Sequence, residues 1–124
     1  MKNNRIKDIS INILTYRTDE KILDNCIRSI NISAPINIIE NSKKFIDESR
    51  YKKINKNIRV FCTGKNFGYA GGHNYGLSKA KTRYVLICNP DVIFRKDCSI
   101  PELGDEWVRL QITDNIKDYD WILK

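Results

Sequence analysis

Apolar residues recur along the first two thirds of the chain in short blocks with two spacings. Ile9, Ile11 and Ile13 alternate with polar residues before Leu14, a period of two that predicts a strand over residues 9–16. Ile22, Leu23, Cys26, Ile27 and Ile30 then follow the helical period and form one apolar face. Thr18 is placed to cap that helix, and Asp19 with Glu20 suits the positive end of its dipole. After Pro35, residues 36–39 read as a second strand that stops at the turn-prone triplet Glu40-Asn41-Ser42. Residues 58–62 make a third strand. A short helix is expected over residues 73–80, with Asn74, Leu77 and Ala80 near one face, and the apolar run 84–88 supplies a fourth strand. Strands alternating with helices predict an α/β fold with a mainly parallel sheet joined by right-handed crossovers.

The segment between the third and fourth strands is the most distinctive. Four of the six glycines, Gly68, Gly71, Gly72 and Gly76, fall within nine residues, where the backbone is free to turn or to let another group approach closely. No Gly-Lys-Ser/Thr follows, so this is not a Walker loop, and the plain GxGxxG of dinucleotide enzymes is absent. The fourth strand ends in Asn89-Pro90-Asp91, which places a carboxylate at the carboxyl end of a strand, where open α/β sheets bind ligands. Alone, such a tripeptide reads as a simple turn. Behind a glycine-rich turn, a helix and an apolar strand, it reads as a site for a nucleotide diphosphate.

Composition adds limits. A length of 124 residues, 41% apolar and 30% charged, suits one globular domain. The net charge of +7 is spread through a chain rich in Lys, Asn and Ile, and its densest part, Lys43, Lys44, Arg50, Lys52, Lys53 and Lys56, is interleaved with Asp47 and Glu48. That part reads as a polar connection over a sheet edge rather than a phosphate or headgroup patch, and no nucleic-acid partner is expected. Cys26, Cys62, Cys88 and Cys98 lack CxxC spacing and His73 is the single histidine, which argues against structural zinc. Cys26, Cys62 and Cys88 lie in apolar stretches and read as buried thiols of a reducing compartment. His73 reads as a helix-start or surface residue. The polar amino-terminal residues carry no signal core and no apolar run approaches a membrane span, so a cytoplasmic protein is expected, at most peripheral at the inner face of the membrane.

Four blocks in order, Ile11-Asn12-Ile13-Leu14-Thr15-Tyr16, Ile38-Ile39-Glu40-Asn41-Ser42, residues 66–76 and Tyr84-Val85-Leu86-Ile87-Cys88-Asn89-Pro90-Asp91-Val92, resemble the donor-binding half of family 2 glycosyltransferases, especially the rhamnosyltransferase-like branch. The resemblance covers roughly residues 9 to 95 and implies the GT-A fold, a Rossmann-like nucleotide-binding sheet. It divides the chain into a nucleotide-sugar-binding half-domain over residues 1–96 and a divergent segment of the same domain over residues 97–124. It implies inverting, metal-dependent transfer from a nucleotide diphosphate sugar, UDP- or dTDP-linked, to a glycan or lipid-linked acceptor in cell-wall or polysaccharide biosynthesis. By resemblance Thr15 and Tyr16 contact the base or ribose, and Glu40, with Asn41 beside it, takes the place of an Asp that accepts from the base ring. Gly68, Gly71, Gly72 and Asn74 adjoin the diphosphate or sugar, Asn89 binds ribose or phosphate, and Asp91 holds Mg2+ or Mn2+ in place of the Asp-x-Asp motif.

The family's general-base carboxylate is expected well beyond the metal motif, in the half that binds acceptor. The chain runs 33 residues past Asp91, and Asp105-Glu106-Trp107-Val108-Arg109 lies too close to serve, so no catalytic base is assigned. Trp107, Val108, Leu110, Ile112, Trp121, Ile122 and Leu123 are expected to cover the sheet edge or meet another chain. A truncated donor-binding portion is therefore the expectation, with a partner chain supplying the acceptor half. The alternative is a nucleotide-sugar-binding module, or a decayed fragment, without turnover.

Overall fold

The computed structural model describes residues 8–96. Four parallel strands form one sheet in the order β3-β2-β1-β4: β1 is Ile9–Thr15, β2 Ile36–Glu40, β3 Ile58–Cys62 and β4 Tyr84–Cys88. Helix α1, Glu20–Ser29, joins β1 to β2, the short α2, Glu48–Lys52, lies between β2 and β3, and α3, Gly68–Lys79, joins β3 to β4. The chain therefore steps outward from β1 through β2 to β3, then crosses back to pair β4 with the other side of β1, with Ile13 opposite Cys88. That reversal is the topological switch of an open α/β sheet, and it lies between the carboxyl ends of β1 and β4.

Residue alternation assigns the two faces. Ile11 and Ile13 of β1, Ile36 and Ile38 of β2, and Ile58 of β3 share a dry core with Leu23, Cys26 and Ile27 of α1 and Tyr51 of α2. The opposite face, covered by α3, is more polar. Asn12 and Asn37 sit side by side in register there, with Asn37 Nδ2 donating to Asn12 Oδ1 at 2.9 Å. Both faces of β2 are covered and all five of its residues are buried, Asn37 and Glu40 included, each with hydrogen-bond partners.

Several local expectations are corrected. Asp19, not Thr18, caps α1, its carboxylate accepting from Lys21 N and Ile22 N, and Ile22 faces solvent. The basic connection contains α2, capped by Asp47, and Arg50 turns back from it to make a two-pronged ion pair with Asp24 at 3.0 and 2.7 Å. β1 ends at Thr15. The fourth correction concerns the glycines: α3 begins at Gly68 rather than at residue 73, so Gly71, Gly72 and Gly76 are helical and only Gly68 among them has positive φ, +80°. Glycines disfavour helix interiors, which is why the sequence reads as a turn up to residue 73. Here they buy proximity, because a Cβ on Gly72 would lie 2.7 Å from Leu14 Cδ1 and 2.8 Å from Asn41 Nδ2, and one on Gly76 would lie 2.9 Å from Asn12 Nδ2. The buried face of α3 is thus Gly72, His73 and Gly76, not Asn74, Leu77 and Ala80. Cys62 is exposed, while Cys26 and Cys88 are buried free thiols; Cys98, the segment 97–124 and its acidic and tryptophan-containing residues lie outside the described residues. No helix among the described residues is long and apolar enough to cross a membrane.

Candidate functional site

Parallel strands deliver their carboxyl ends to one edge of the sheet, and three polar segments gather there: Thr15-Tyr16-Arg17 after β1, Glu40-Asn41-Ser42 after β2, and Asn89-Pro90-Asp91 after β4. Glu40 is the anchor of the first two. Its side chain is 0% exposed, and its carboxylate accepts from Thr15 Oγ1 at 2.7 Å, from Arg17 N at 3.0 Å and from the Ser42 hydroxyl. A buried carboxylate is tolerated only with such donors. This group is not an open contact for a base ring: it lies beneath the site and ties the turn after β1 to the end of β2. Arg17 leaves that turn with φ +50°, a conformation rare for a non-glycine residue, and its amide bond to Glu40 holds it there. Thr15 is buried with its hydroxyl on Glu40, whereas the Tyr16 side chain is exposed.

Asn41 does the same work for the glycine segment. Buried at the end of β2, it accepts at Oδ1 from Phe67 N at 3.1 Å and donates from Nδ2 to Gly68 O at 2.9 Å and Asn66 Oδ1 at 3.3 Å. Thr63 Oγ1 lies 3.1 Å from Asn41 Oδ1 and 2.7 Å from Lys65 O, closing the loop from the other side. Gly68 N donates to Asn66 Oδ1, while the N-cap residue Phe67 contributes no side-chain cap to the first turn of α3. Asn74 stands further along α3 with its Oδ1 buried and without a hydrogen-bond partner. In the sequence Ser42 reads only as part of a turn-prone triplet, Asn66 falls in a block of the resemblance without a role, and Thr63 is not marked. The available signal was their position, since short polar residues directly after a buried strand are the ones able to satisfy strand-end backbone.

Beside β1, Asn89 and Asp91 are exposed, and the Asn89 carbonyl accepts from Val92 N at 3.2 Å and from the Cys88 thiol at 3.2 Å. Contact with the Cys26 sulfur and then burial raise the Cys88 thiol well above its ordinary pKa, so it stays protonated. His73 is 1% exposed, contrary to the surface position expected of it. Its ring meets Tyr69 edge to face at 4.5 Å, its Nε2 has no partner, and burial lowers its pKa from 6.5 to about 4. A neutral imidazole packed beneath α3 is a structural element of the helix and sheet contact.

Among the described residues no three His, Cys, Asp or Glu side chains stand together as a metal cage. Magnesium and manganese do not need one, because they keep several waters and accept one or two carboxylates together with phosphate oxygens. The exposed carboxylate of Asp91 at the switch point fits that looser mode. A mainly apolar groove of about 480 Å³ runs beside β4, lined by Leu86, Ile87, Cys88, Val92, Ile93, Phe94 and Arg95.

The family model for Glycosyl transferase family 2 matches residues 10–113. The low-salt glycan biosynthesis hexosyltransferase Agl10 of Haloferax volcanii is 31% identical over 96 residues, covering 74% of this chain and 30% of that protein. Two crystal structures of S. aureus TarS, one of residues 1–349, superpose with TM-scores of 0.53 and 0.52 at 18% and 20% identity. Each covers 68% of this chain, and 27% and 16% of the respective TarS chains. At that identity the likeness is one of fold, and it matches the parallel Rossmann-like sheet of the GT-A type. The chain spans about 30% of the length of the curated relative it matches. With the family model covering most of its residues and the strand-end polar segments in family order, the chain belongs to glycosyl transferase family 2.

Proposed function

We propose that this chain is the donor-binding portion of an inverting, metal-dependent glycosyltransferase that moves a sugar from a UDP- or dTDP-sugar to a glycan or lipid-linked acceptor. The observation that carries the reading is the placement of exposed Asp91 at the switch point between β1 and β4, beside a turn that Glu40 holds in an uncommon backbone conformation. In this reading Tyr16 and Arg17 line the nucleoside side, with Thr15 and Glu40 as positioning residues below them. Asn41, Gly68, Gly71 and Gly72 set the start of α3, whose first-turn amides face the diphosphate with the favourable end of the helix dipole. Asn74 and Asn89 contribute amide groups to the sugar or ribose. Asp91 holds Mg2+ or Mn2+, which when bound neutralises the charge that develops on the departing diphosphate. The general base and the acceptor site belong to a part of the fold other than the described residues, either further along a polypeptide or in a partner chain. Cytoplasmic placement belongs to the same proposal and is supported by the free thiols Cys26, Cys62 and Cys88.

Calorimetric titration with UDP-, dTDP- and GDP-sugars, with and without Mn2+, tests the reading directly. Metal-dependent heat is expected with the wild-type chain and not with Asp91→Ala, whose exposed site leaves the core intact. Equal donor binding by the two proteins in Mn2+ would remove Asp91 from the metal site, and no binding of any donor would reduce the family likeness to fold alone.

A further inference from the structure

The rim of the carboxyl edge on the β2–β3 side carries a second feature that donor binding does not use. Residues 43–45 leave β2 and residues 63–67 leave β3, and the register Glu40 to Cys62 brings the two loops out side by side. Gly64 N donates to Ser42 O at 3.2 Å, the Cys62 thiol donates to the same carbonyl at 2.8 Å, and Lys44 N donates to Ser42 Oγ at 3.0 Å, so the loops are joined at their bases. On these loops stand Phe45, 81% exposed and the most exposed large apolar side chain described, and Phe67, 45% exposed and the N-cap of α3. Lysines flank both. Lys43 and Lys44 precede Phe45, and Lys65 Nζ lies 5.1 Å from the Phe67 ring centre.

The neighbouring acids are engaged with the start of α2 and with β3. Asp47 accepts from Ser49 N and Arg50 N at the start of α2, and Glu48 accepts from Val60 N at 2.8 Å. Arg50, which follows in sequence, is paired with Asp24 of α1. The rim is therefore a cationic edge from which two aromatic rings project, and here Lys43 and Lys44 depart from the expectation of a polar connection without a headgroup patch. Aromatic tips backed by lysines suit the boundary of an anionic bilayer, where rings enter the headgroup and acyl boundary while ammonium groups stay with the lipid phosphates.

We propose that Lys43, Lys44, Phe45, Lys65 and Phe67 form a docking surface for an anionic membrane. The surface adjoins the donor site at Phe67, the N-cap of α3, but its occupancy is read with vesicles alone, whether or not any nucleotide sugar binds. Nucleic acid is the other polyanion that such residues attract, but the two rings sit on separate loops rather than along a groove that tracks a strand.

The test is sedimentation of the full chain with phosphatidylcholine vesicles, with and without phosphatidylglycerol. Binding is expected only with the anionic lipid. Removing a lysine near such a surface weakens binding roughly fivefold, so Lys43→Gln/Lys44→Gln/Lys65→Gln is expected to lose on the order of a hundredfold. Phe45→Ser/Phe67→Ser is expected to lose binding with all lysines in place. The charge-matched control Lys52→Gln/Lys53→Gln/Lys56→Gln is expected to lose far less. Circular dichroism of each variant separates loss of docking from loss of fold. Absence of binding to anionic vesicles would overturn the proposal, as would an equal loss in the control, an unaffected phenylalanine variant, or displacement by soluble glycerol phosphate. Tighter, salt-sensitive binding of a single-stranded oligonucleotide through the same residues would replace the membrane with nucleic acid.

Discussion

Glu40 shows how a single carboxylate organises a strand end. One oxygen receives the Thr15 hydroxyl and the other receives both the Arg17 amide and the Ser42 hydroxyl, all within a site closed to solvent. Three donors converge on an acceptor-only group, and of these the Arg17 amide can only donate, so deleting the carboxylate leaves it unpaired. Glu40→Ala is therefore expected to destabilise the fold by about 1–3 kcal/mol, the cost of leaving buried polar groups unpaired. It is also expected to weaken donor binding by releasing Arg17 from φ +50°. Urea denaturation read beside donor titration checks both. A stable Glu40→Ala protein with normal donor affinity would show that the anchoring is dispensable.

The next scale is the packing of α3 on the sheet, where the glycines act as spacers. Gly72→Ala is expected to cost about 1–3 kcal/mol, the usual penalty for overpacking, because its Cβ would collide with Leu14 and with the Asn41 amide that clamps the loop. Denaturation midpoints measure this, and a neutral Gly72→Ala would mean that the helix is free to lift. This element was only partly legible in the sequence. Strands β1 to β4 and α1 announce themselves through the periods of their isoleucines and leucines, because a buried face demands apolar residues. Asn89-Pro90-Asp91 could be placed at a strand end for the same reason. α3 hid its first turn because glycine is a poor helix former, and the tight approach that favours glycine there depends on Leu14 and Asn41, distant in sequence. The inward turn of Glu40 was hidden for a similar reason: a carboxylate after a strand is usually exposed, and only the convergence of Thr15, Arg17 and Ser42 makes burial affordable.

For the molecule as a whole, the same α3 contact gives stability a pH dependence that the sole histidine of the sequence isolates. His73 is neutral and buried in the folded state, with its pKa lowered from 6.5 to about 4 by desolvation. As pH falls below about 6.5, the unfolded chain takes up a proton at this residue that the folded protein refuses, so stability declines. The decline continues until pH nears 4, where the folded protein also binds the proton. The shift from 6.5 to about 4 sets a ceiling of about 3 kcal/mol on the total loss. Folding stability of the wild type and of His73→Leu, measured by urea denaturation across that interval, separates this effect from carboxylates that titrate at its lower end, because they are common to both proteins. The difference between the two is expected to change steadily from pH 6.5 to 4 and to be flat above pH 7. Parallel curves throughout would place His73 in contact with water or with a hydrogen-bond acceptor, and would loosen the closed helix and sheet contact on which the position of the glycine segment depends.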